Sequence, residues 1–304
     1  MSGGKKRETV FSAILKFTGL SAIAGVVAIA LAAPALLVGS VVTNAGIAIF
    51  ENLPSYIKPV NASQASTLYA LKDGKQVKVA EFYDENRISI SYDQMSPNIR
   101  NAVVATEDPR FFQHGGVDVV SLIRATVTNV LIGGGGPGGS TITMQYVKNS
   151  LVEAATLSGD KNAIADATAQ TVDRKLREIR LAIALEGVAS KQEILAGYLN
   201  LAFFGNQING VESASEYYYG IPASQLSIAQ AAMLAAMLKS PNDYRPDNPA
   251  NLDRAKSRRD YVIDNMVREG YITGDQAAAA KATPVKVSVT AVPGGCEGNH
   301  LEPR

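Results

Sequence analysis

The stretch TEDPRFFQHGGVD, residues 106–118, places Glu107 and Asp108 side by side at the end of a predicted helix. That helix spans 99–108 and stops at Pro109, because a proline disfavours helical geometry in the residue before it. The negative end of the helix dipole and the neighbouring like charge both destabilise an ionised carboxylate there. A carboxylate that takes up a proton readily is what general-base catalysis near neutral pH requires. The alternative is a solvated helix end, with Asp108 capping the following turn.

The next segment, GGSTITMQYVKN at 138–149, predicts a helix that starts directly after a run of glycines. Thr141, Gln145 and Lys148 are spaced i, i+4 and i+7, so they would share one helix face. Free N–H groups at a helix N-terminus favour anions, so this face could hold a phosphate, or it could be a solvated outer face. A Rossmann site is excluded because the GxGxxG match at 133–138 follows a helical stretch, and a P-loop is excluded because a serine stands where Walker A needs lysine.

A third segment, RKLREIRLAIALE at 174–186, predicts an amphipathic helix. Its apolar positions at helical spacing predict a buried stripe made of Leu176, Ile179 and Ile183. Arg174 and Glu178 are i, i+4 partners, so one interpretation is a surface salt bridge worth about 0.3–0.5 kcal/mol. The functional interpretation makes Glu178 a second active-site carboxylate, with Arg174 and Lys175 supplying positive charge.

Apolar residues are dense over 111–132, where Asp118 can N-cap a helix that runs through 131. The apolar set is Phe111, Phe112, Val119, Val120, Leu122, Ile123, Val127, Leu131 and Ile132. A core helix would explain this density. A helix that dips into a lipid surface would explain it nearly as well.

The remaining pattern is mostly helical, with a small β element near its start. Asp73-Gly74 between two short apolar runs is a strong hairpin signal, and RISISY at 87–92 alternates as a further strand does. Helical periodicity recurs over 163–189, 191–199, 211–219, 227–238, 250–268 and 275–282. A single helical domain over 64–283 is large enough to have its own core.

No charged residue occurs within 17–50. Because a helix needs about 20 residues to cross the hydrocarbon core, 17–42 predicts a transmembrane anchor. The basic residues of 1–16 predict a cytoplasmic N-terminal tail and an exported remainder, hence a single-pass cell-membrane protein. A cleaved signal peptide is the alternative, although its apolar core is usually shorter. Residues 43–63 are a predicted tether, and 284–304 are an extended tail that we expect to begin a domain missing from this chain.

The composition excludes several classes of protein. The 29 basic and 28 acidic side chains nearly balance, which removes the basic footprint of a nucleic-acid binder. One cysteine and two histidines rule out a disulfide framework and a Cys/His zinc site.

Together and in this order, the segments resemble the peptidoglycan glycosyltransferases of family 51, the transglycosylase domain of class A penicillin-binding proteins, most closely the actinobacterial type. The motif E-D-x-x-F-x-x-H-x-G is met by Glu107, Asp108, Phe111, His114 and Gly116. The motif G-S-T-I-T-Q-Q-x-x-K-N is met by Gly139, Ser140, Thr141, Ile142, Thr143, Gln145, Lys148 and Asn149. The motif R-K-x-x-E is met by Arg174, Lys175 and Glu178. Two later motifs are met by Ile194, Leu195, Tyr198, Leu199, Asn200, Gly210, Val211, Glu212 and Ala214, and more loosely by Arg258, Arg259 and Val262. The sequence departs from the family at Met144 and at Gln230.

The resemblance implies a lysozyme-like, mostly α fold and the polymerisation of lipid II into β-1,4 glycan strands. Glu107 would be the general base, and Glu178 would organise the cations or bind a divalent cation, Mg or Mn, at the pyrophosphate. The substrate-binding residues it implies are Asp108, Phe111, His114, Thr141, Gln145, Lys148, Asn149, Arg174 and Lys175. Implied partners are lipid II, the growing strand, membrane lipid and other cell-wall synthesis proteins, without nucleic acid. A lysozyme-like muramidase, which delivers water in place of a sugar hydroxyl, and a non-catalytic anchored scaffold remain the alternatives.

Overall fold

The computed structural model describes residues 66–72, 74–82, 87–132 and 138–289, all within the compact unit Pro54–Arg304. Two strands come first, β1 (Ser66–Lys72) and β2 (Lys75–Phe82). The helices that follow are α1 (Pro97–Glu107), α2 (Val119–Ile132), α3 (Ile142–Ser158), α4 (Lys161–Thr168), α5 (Val172–Glu186), α6 (Lys191–Leu201), α7 (Val211–Tyr219), α8 (Ile228–Met237), α9 (Pro241–Tyr244), α10 (Leu252–Arg268) and α11 (Gly274–Ala282). The prediction of a mostly α fold with a small β element is confirmed.

The strands form an antiparallel hairpin in which Lys72 pairs with Lys75. Gly74 in the turn has φ +77°, a conformation that glycine adopts without the steric penalty of a Cβ. The hairpin predicted at this position is therefore confirmed.

The strand predicted at 87–92 is wrong. Within the described part of the chain this segment has no strand partner, and side chains from distant helices bind several of its backbone groups. The Ile88 N–H donates to Ser213 Oγ at 2.9 Å, and the Ile90 N–H donates to Asn200 Oδ1 at 3.2 Å. Asn200 also donates back to the Ile90 carbonyl at 2.8 Å. The alternation of apolar residues in this segment thus reflects an extended strap over the helices.

Side-chain caps determine where most of the helices begin. A hydroxyl accepts a backbone N–H at the start of α1, α3, α5, α6, α8 and α11. At the start of α2 the Asp118 carboxylate plays this part, as predicted, because its Oδ1 accepts the Ser121 N–H at 3.0 Å. One predicted helix is divided: the stretch 163–189 contains the end of α4 and all of α5, because Thr171 caps a new helix.

The core is centred on α8, whose residues from Ala231 to Met237 are at most 1% exposed. This helix packs against α1 and α10, while α3 packs against α4, α5 and α6. Buried side chains of both groups belong to one continuous hydrophobic cluster. The C-terminal end of α1 is thereby held beside α3 and α5, which carry the other motif residues.

The buried stripe predicted on α5 is wrong. Ile183 is 47% exposed, and Leu176 and Ile179 are only half-buried. The buried face consists of Glu178, Leu181, Ala182 and Leu185. The helix is rotated so that a carboxylate, rather than the isoleucine stripe, points inward.

No helix among the described residues is long and apolar enough to cross a membrane. The predicted tail, anchor and tether at 1–16, 17–42 and 43–63 lie outside the described residues, as does most of the predicted glycine breaker at 133–139. Of the predicted extended tail, 284–289 is described and has no regular secondary structure. Ser288 N–H donates to the Tyr218 carbonyl at 2.8 Å, which ties this segment to the end of α7.

Candidate active site

A cavity of about 550 Å³ lies where the end of α1, the start of α3, α5 and α10 meet. Five of its lining residues are cationic and two are carboxylates. The cations are Lys148, Arg174, Lys175, Lys239 and Arg258, and the carboxylates are Glu107 and Glu178. The excess of positive charge suits an anionic ligand, because a cleft lined by one sign of charge concentrates the opposite sign.

Glu107 is the last residue of α1 and is half-buried at the cavity wall. Gln145 donates from Nε2 to Glu107 Oε2 at 3.1 Å, and the Tyr198 hydroxyl donates to Gln145 Oε1 at 3.1 Å. Burial, reinforced by the nearby charge of Glu107, raises the pKa of Tyr198 well above its usual value, so this hydroxyl stays a donor. The chain of two hydrogen bonds fixes the carboxylate. Its other oxygen has no donor among the described residues.

Glu178 is 1% exposed and pairs with both cations of its own helix. Arg174 binds Oε1, and Lys175 Nζ lies 3.0 Å from Oε2. Lys175 also donates to Ser140 Oγ at 2.6 Å, which links α5 to the loop before α3. A buried carboxylate between two cations holds their charged ends at fixed positions on the cavity wall.

Lys148 differs from these paired cations. Its side chain is exposed at the cavity and has no ion-pair or hydrogen-bond partner in the described part of the chain. An unpaired ammonium is available to a ligand anion without first breaking an internal contact.

The segment after Glu107 holds the walls of the cavity together through hydrogen bonds outside the cavity lining. Asp108 is 4% exposed and does not line the cavity. Its Oδ2 accepts the Ile142 N–H at 3.1 Å, and His114 Nε2 lies 2.9 Å from the same oxygen. Asp108 therefore does not cap the turn that follows it. It binds the first N–H of α3, which joins the end of α1 to the helix that carries Gln145 and Lys148.

Thr141 does not share a face with Gln145 and Lys148, so the predicted polar face is only partly formed. Thr141 is the N-cap of α3 and is 2% exposed. Its hydroxyl donates to the Gly116 carbonyl at 2.6 Å and accepts the Met144 N–H at 3.2 Å. A residue at the N-cap points back at its own helix, so helical spacing counted from it misplaces the side chain.

The other two predicted substrate ligands also lie off the cavity. Phe111 is fully buried, with Lys191 Nζ 4.4 Å from its ring centre and Phe112 edge-on to it. Asn149 is half-buried on α3. Among the described residues, the cavity therefore brings together six of the eleven predicted site residues, namely Glu107, Gln145, Lys148, Arg174, Lys175 and Glu178.

The cavity wall also contains residues to which the sequence assigned no site role, among them Lys239, Arg258 and Tyr261. The Arg258 guanidinium lies 4.6 Å from the centre of the Tyr261 ring. The R-R-x-x-V pattern marked Arg258, but the pattern does not say which of the two arginines faces a ligand. No signal pointed to Lys239, which lies just past the end of α8.

The described residues contain no group of three or more His, Cys, Asp or Glu side chains that could hold a metal ion. Both oxygens of Glu178 already bind cations of the protein. This arrangement does not fit the divalent cation considered for Glu178 from the sequence, and it fits the alternative role of organising Arg174 and Lys175.

An apolar surface lies on α2 and the turn before it. Phe112, Val119, Val120, Ile123 and Val127 are each 49–60% exposed. Gly139, next to the cavity loop, packs against Leu122 and Ala125 of the same helix. The described part of the chain thus has a contiguous set of exposed apolar side chains beside a cationic cavity. Such sets mark interaction surfaces in soluble domains.

These features define a mostly helical domain with a cleft that is lined by carboxylates and cations. A family model described as a transglycosylase matches residues 73–267, more than half of the chain. The chain therefore belongs to the transglycosylase family.

The chain is also similar in sequence to individual penicillin-binding proteins. The chain is 36% identical over 221 residues to penicillin-binding protein 1A of Streptococcus oralis, covering 73% of this chain and 33% of the relative. It is 40% identical over 223 residues to penicillin-binding protein 1A/1B of Bacillus subtilis (strain 168), covering 73% and 22%. The chain spans about a third or less of these relatives' length. A crystal structure of penicillin-binding protein 1A from Haemophilus influenzae aligns with a TM-score of 0.41 and 22% identity over 77% of this chain and 22% of that one.

Proposed function

We propose that this chain polymerises lipid II into β-1,4 glycan strands of peptidoglycan. The observation that carries the proposal is the pairing, in one cavity, of a carboxylate with one unoccupied oxygen, Glu107, and a set of cations that includes the unpaired Lys148. Membership of the transglycosylase family supports the same reaction. Lipid II is a disaccharide-peptide linked through pyrophosphate to undecaprenol, so it presents a sugar hydroxyl and an anionic leaving group.

In the proposed reaction, the free oxygen of Glu107 takes the proton from the acceptor's GlcNAc 4-hydroxyl. The acceptor's 4-hydroxyl oxygen, as it loses this proton, attacks the donor's anomeric carbon and forms the new glycosidic bond, while the bond from this carbon to the phosphate oxygen breaks. The configuration inverts from α to β. Undecaprenyl pyrophosphate leaves with the electron pair, and its growing negative charge is stabilised by Lys148, Arg174 and Lys175.

The remaining predicted site residues have supporting parts in this proposal. Gln145 and Tyr198 orient Glu107, and Glu178 holds Arg174 and Lys175 in place. Asp108, Phe111, His114, Thr141 and Asn149 act through packing and hydrogen bonds behind the cavity rather than by contact with substrate. These five residues, predicted from the sequence to contact the substrate, are thus proposed to position the residues that line the cavity.

The proposal extends to the membrane. We infer that the fold is lysozyme-like, that 17–42 is a single-pass anchor with a cytoplasmic N-terminus, and that the exposed apolar side chains of α2 enter the outer lipid surface. The undecaprenyl tail then stays in the bilayer while the pyrophosphate reaches the cations. A likeness to the actinobacterial type, and contacts with other cell-wall synthesis proteins, stay predictions.

The first test replaces Glu107 with Gln, which keeps the hydrogen-bonding shape and removes the base. We expect polymerisation of labelled lipid II by the full chain in vesicles to fall about 10²- to 10⁴-fold, the usual contribution of a general base. The unfolding midpoint should be unchanged. Full activity in E107Q would remove Glu107 from the role of base, and cleavage of preformed peptidoglycan by the native chain would favour the muramidase alternative.

A further inference from the structure

A small cavity of about 300 Å³ lies apart from the candidate active site, and the two cavities share no lining residue. The walls of the small cavity come from four parts of the chain, namely the end of α7, the first half of α8, α10 and the segment that follows α11. The Ser288 N–H, which donates to the Tyr218 carbonyl at 2.8 Å, ties the last of these parts to α7. The cavity is thus a hollow built by the fold.

Part of the lining is apolar. Ala229 and Met233 are one turn apart on α8 and are buried, and Pro284 and Val285 add aliphatic surface from the segment after α11. The volume is at the lower end of the range of about 300–1,000 Å³ that is usual for ligand sites. A ligand that fits here therefore carries a small aliphatic group.

The polar side chains of the small cavity offer hydrogen-bond donors. Gln230 Oε1 already accepts the Ser227 N–H at 3.0 Å and the Ser227 hydroxyl at 2.8 Å in the cap of α8, so the amide nitrogen is its free end. The Tyr219 hydroxyl and the Lys286 ammonium have no partner among the described residues, and both residues line the cavity. Burial raises the pKa of Tyr219 above its usual value, so its hydroxyl stays a donor.

Arg259 adds a buried cation to this lining. Its side chain is 1% exposed, and four of its five N–H groups donate to Asp260 and to the Thr283 and Lys281 carbonyls. Asp260 balances the charge of Arg259 but does not line the cavity, and neither does any other carboxylate of the described residues. With the unpaired Lys286, the lining is therefore positive and rich in donors. A carboxylate suits it, because an ionised carboxylate is an acceptor at both oxygens.

The side chain at position 230 determines which charge the small cavity accepts. Gln230 is one of the two positions at which the sequence departs from the family pattern. A glutamate here could keep the cap of α8 through the same oxygen, but it would put a negative charge on the cavity wall. That charge would repel a carboxylate ligand. The amide of this chain instead donates to one.

We propose that the small cavity binds an aliphatic carboxylate, with its oxygens at Tyr219, Gln230 and Lys286 and its alkyl group against Met233 and Val285. Two sources carry this chemistry, a free branched-chain acid and the carboxyl-terminal residue of a peptide with an apolar side chain. The inference goes beyond glycan polymerisation and does not depend on it, because none of these residues lines the candidate active site.

The test titrates the full chain with 4-methylpentanoate and with 4-methylpentanamide, which has the same alkyl group without the charge. We expect the acid to bind with a Kd on the order of 1 mM and the amide to bind at least tenfold more weakly. Gln230→Glu should weaken binding of the acid about tenfold or more, and Lys286→Ala about threefold. Gln276→Glu is the matched control and should bind the acid as the native chain does. Gln276 caps α11 through Thr273 in the same way, but it does not line the cavity.

A peptide probe separates the two sources. Acetyl-glycyl-leucine with a free carboxyl terminus is titrated under the same conditions. Tighter binding of this peptide than of 4-methylpentanoate assigns the site to peptide chain ends, and equal or weaker binding assigns it to free acids.

Equal affinity of the native chain for the acid and the amide would overturn the proposal. So would the absence of binding of all three probes at tenfold the expected Kd, or native acid binding by Gln230→Glu. If Gln230→Glu lowers the unfolding midpoint, Lys286→Ala decides, since that side chain is exposed. Because binding is measured directly, a chain that makes no glycan polymer would overturn the proposed function and leave this site standing.

Discussion

At the scale of single residues, two adjacent arginines on α10 have opposite surroundings. Arg258 lines the cavity over Tyr261. Arg259 is 1% exposed and donates to the Thr283 and Lys281 carbonyls at 2.7 and 2.9 Å, so it caps the end of α11. One arginine lines the cavity, and its neighbour links α10 to the end of α11.

We predict that Arg258→Ala lowers polymerisation about tenfold or more, the effect of losing about 1.4 kcal/mol of charge stabilisation. Arg259→Ala should instead lower the free energy of unfolding by about 3 kcal/mol, because it removes a buried side chain and because the Thr283 and Lys281 carbonyls and Asp260 lose their partner. Denaturant unfolding and lipid II kinetics on both variants check this. If Arg258→Ala were the less stable of the two, the assignment of the arginines would be reversed.

Asp118 carries a prediction about pH. Burial alone would raise the pKa of Asp118, but hydrogen bonds from Arg110 and Ser121 outweigh it and hold the pKa well below its usual value. A carboxylate with a lowered folded-state pKa stabilises the fold above its unfolded pKa of about 3.9, and this stabilisation is lost as the pH falls through the folded-state value.

Asp118→Asn should therefore lower the free energy of unfolding at pH 7 by about 1–2 kcal/mol, through the weakened cap of α2 and the lost pairing with Arg110. The difference from the native chain should shrink below pH ~4, where the carboxyl of the unfolded chain begins to take up its proton while the folded-state carboxyl is still ionised. Unfolding curves at pH 7 and at pH 3 measure both values. A difference that grew toward low pH would contradict the sign of the pKa shift.

The sequence predicted the chemical groups of the site better than their surroundings. Glu107, Lys148 and Glu178, which the sequence predicted as site residues, all line the cavity, because carboxylates and cations at helical spacing are recognisable locally. Asp108 and Thr141 were expected at the substrate, and they lie behind the cavity because each is bound by a backbone group from a distant segment. Such long-range partners have no local signature in the sequence.

At the scale of elements, the position of α5 depends on a close backbone contact. Gly116 has φ +80°, and a Cβ built on it would lie 2.7 Å from the Ala182 carbonyl oxygen, in the middle of α5. The contact lies one turn past Glu178, the carboxylate that holds Arg174 and Lys175. Glycine at 116 is thus needed both for its backbone conformation and for the approach of the helix.

We predict that Gly116→Ala lowers the free energy of unfolding by on the order of 3 kcal/mol, from strain and from displacement of α5. Gly115→Ala is the matched control, since its Cβ would meet nothing within 4 Å and its φ is not positive. Thermal unfolding of the two variants compares them directly. Equal melting temperatures would show that α5 moves away without cost.

The helix boundaries were largely predictable from the sequence, and the orientations of the elements were not. Hydroxyl caps mark the starts of α6, α8 and α11 locally, and the predicted helices agree with these elements. The strand at 87–92 was wrong because Ser213 and Asn200, more than a hundred residues away, take its hydrogen bonds. The stripe on α5 was wrong because another apolar set, Leu181, Ala182 and Leu185, is buried together with Glu178 on the inward face.

At the scale of the whole molecule, the cavity and the apolar surface of α2 share one loop. Gly139 packs on α2, and the neighbouring Ser140 accepts a hydrogen bond from Lys175 at the cavity. A substrate with an anionic head and a lipid tail can therefore meet the cations and the apolar side chains together. Under the proposed function, this arrangement gives the exposed valines and isoleucine of α2 a role beside the cavity.

The last prediction tests that arrangement. Replacing Val120 and Ile123 with Lys puts charge on the apolar surface, where each buried aliphatic side chain contributes about 1.5 kcal/mol or more on entering lipid. We expect the rate on lipid II in vesicles to fall about tenfold or more, while the rate on a short-chain, water-soluble lipid II analogue stays native. Leu157→Lys, at an equally exposed apolar position on α3, is the control and should leave both rates unchanged. None of these substitutions touches the cavity. An equal loss of rate on both substrates would therefore mean that α2 serves the chemistry itself. No loss on either substrate would mean that the apolar surface does not meet the membrane.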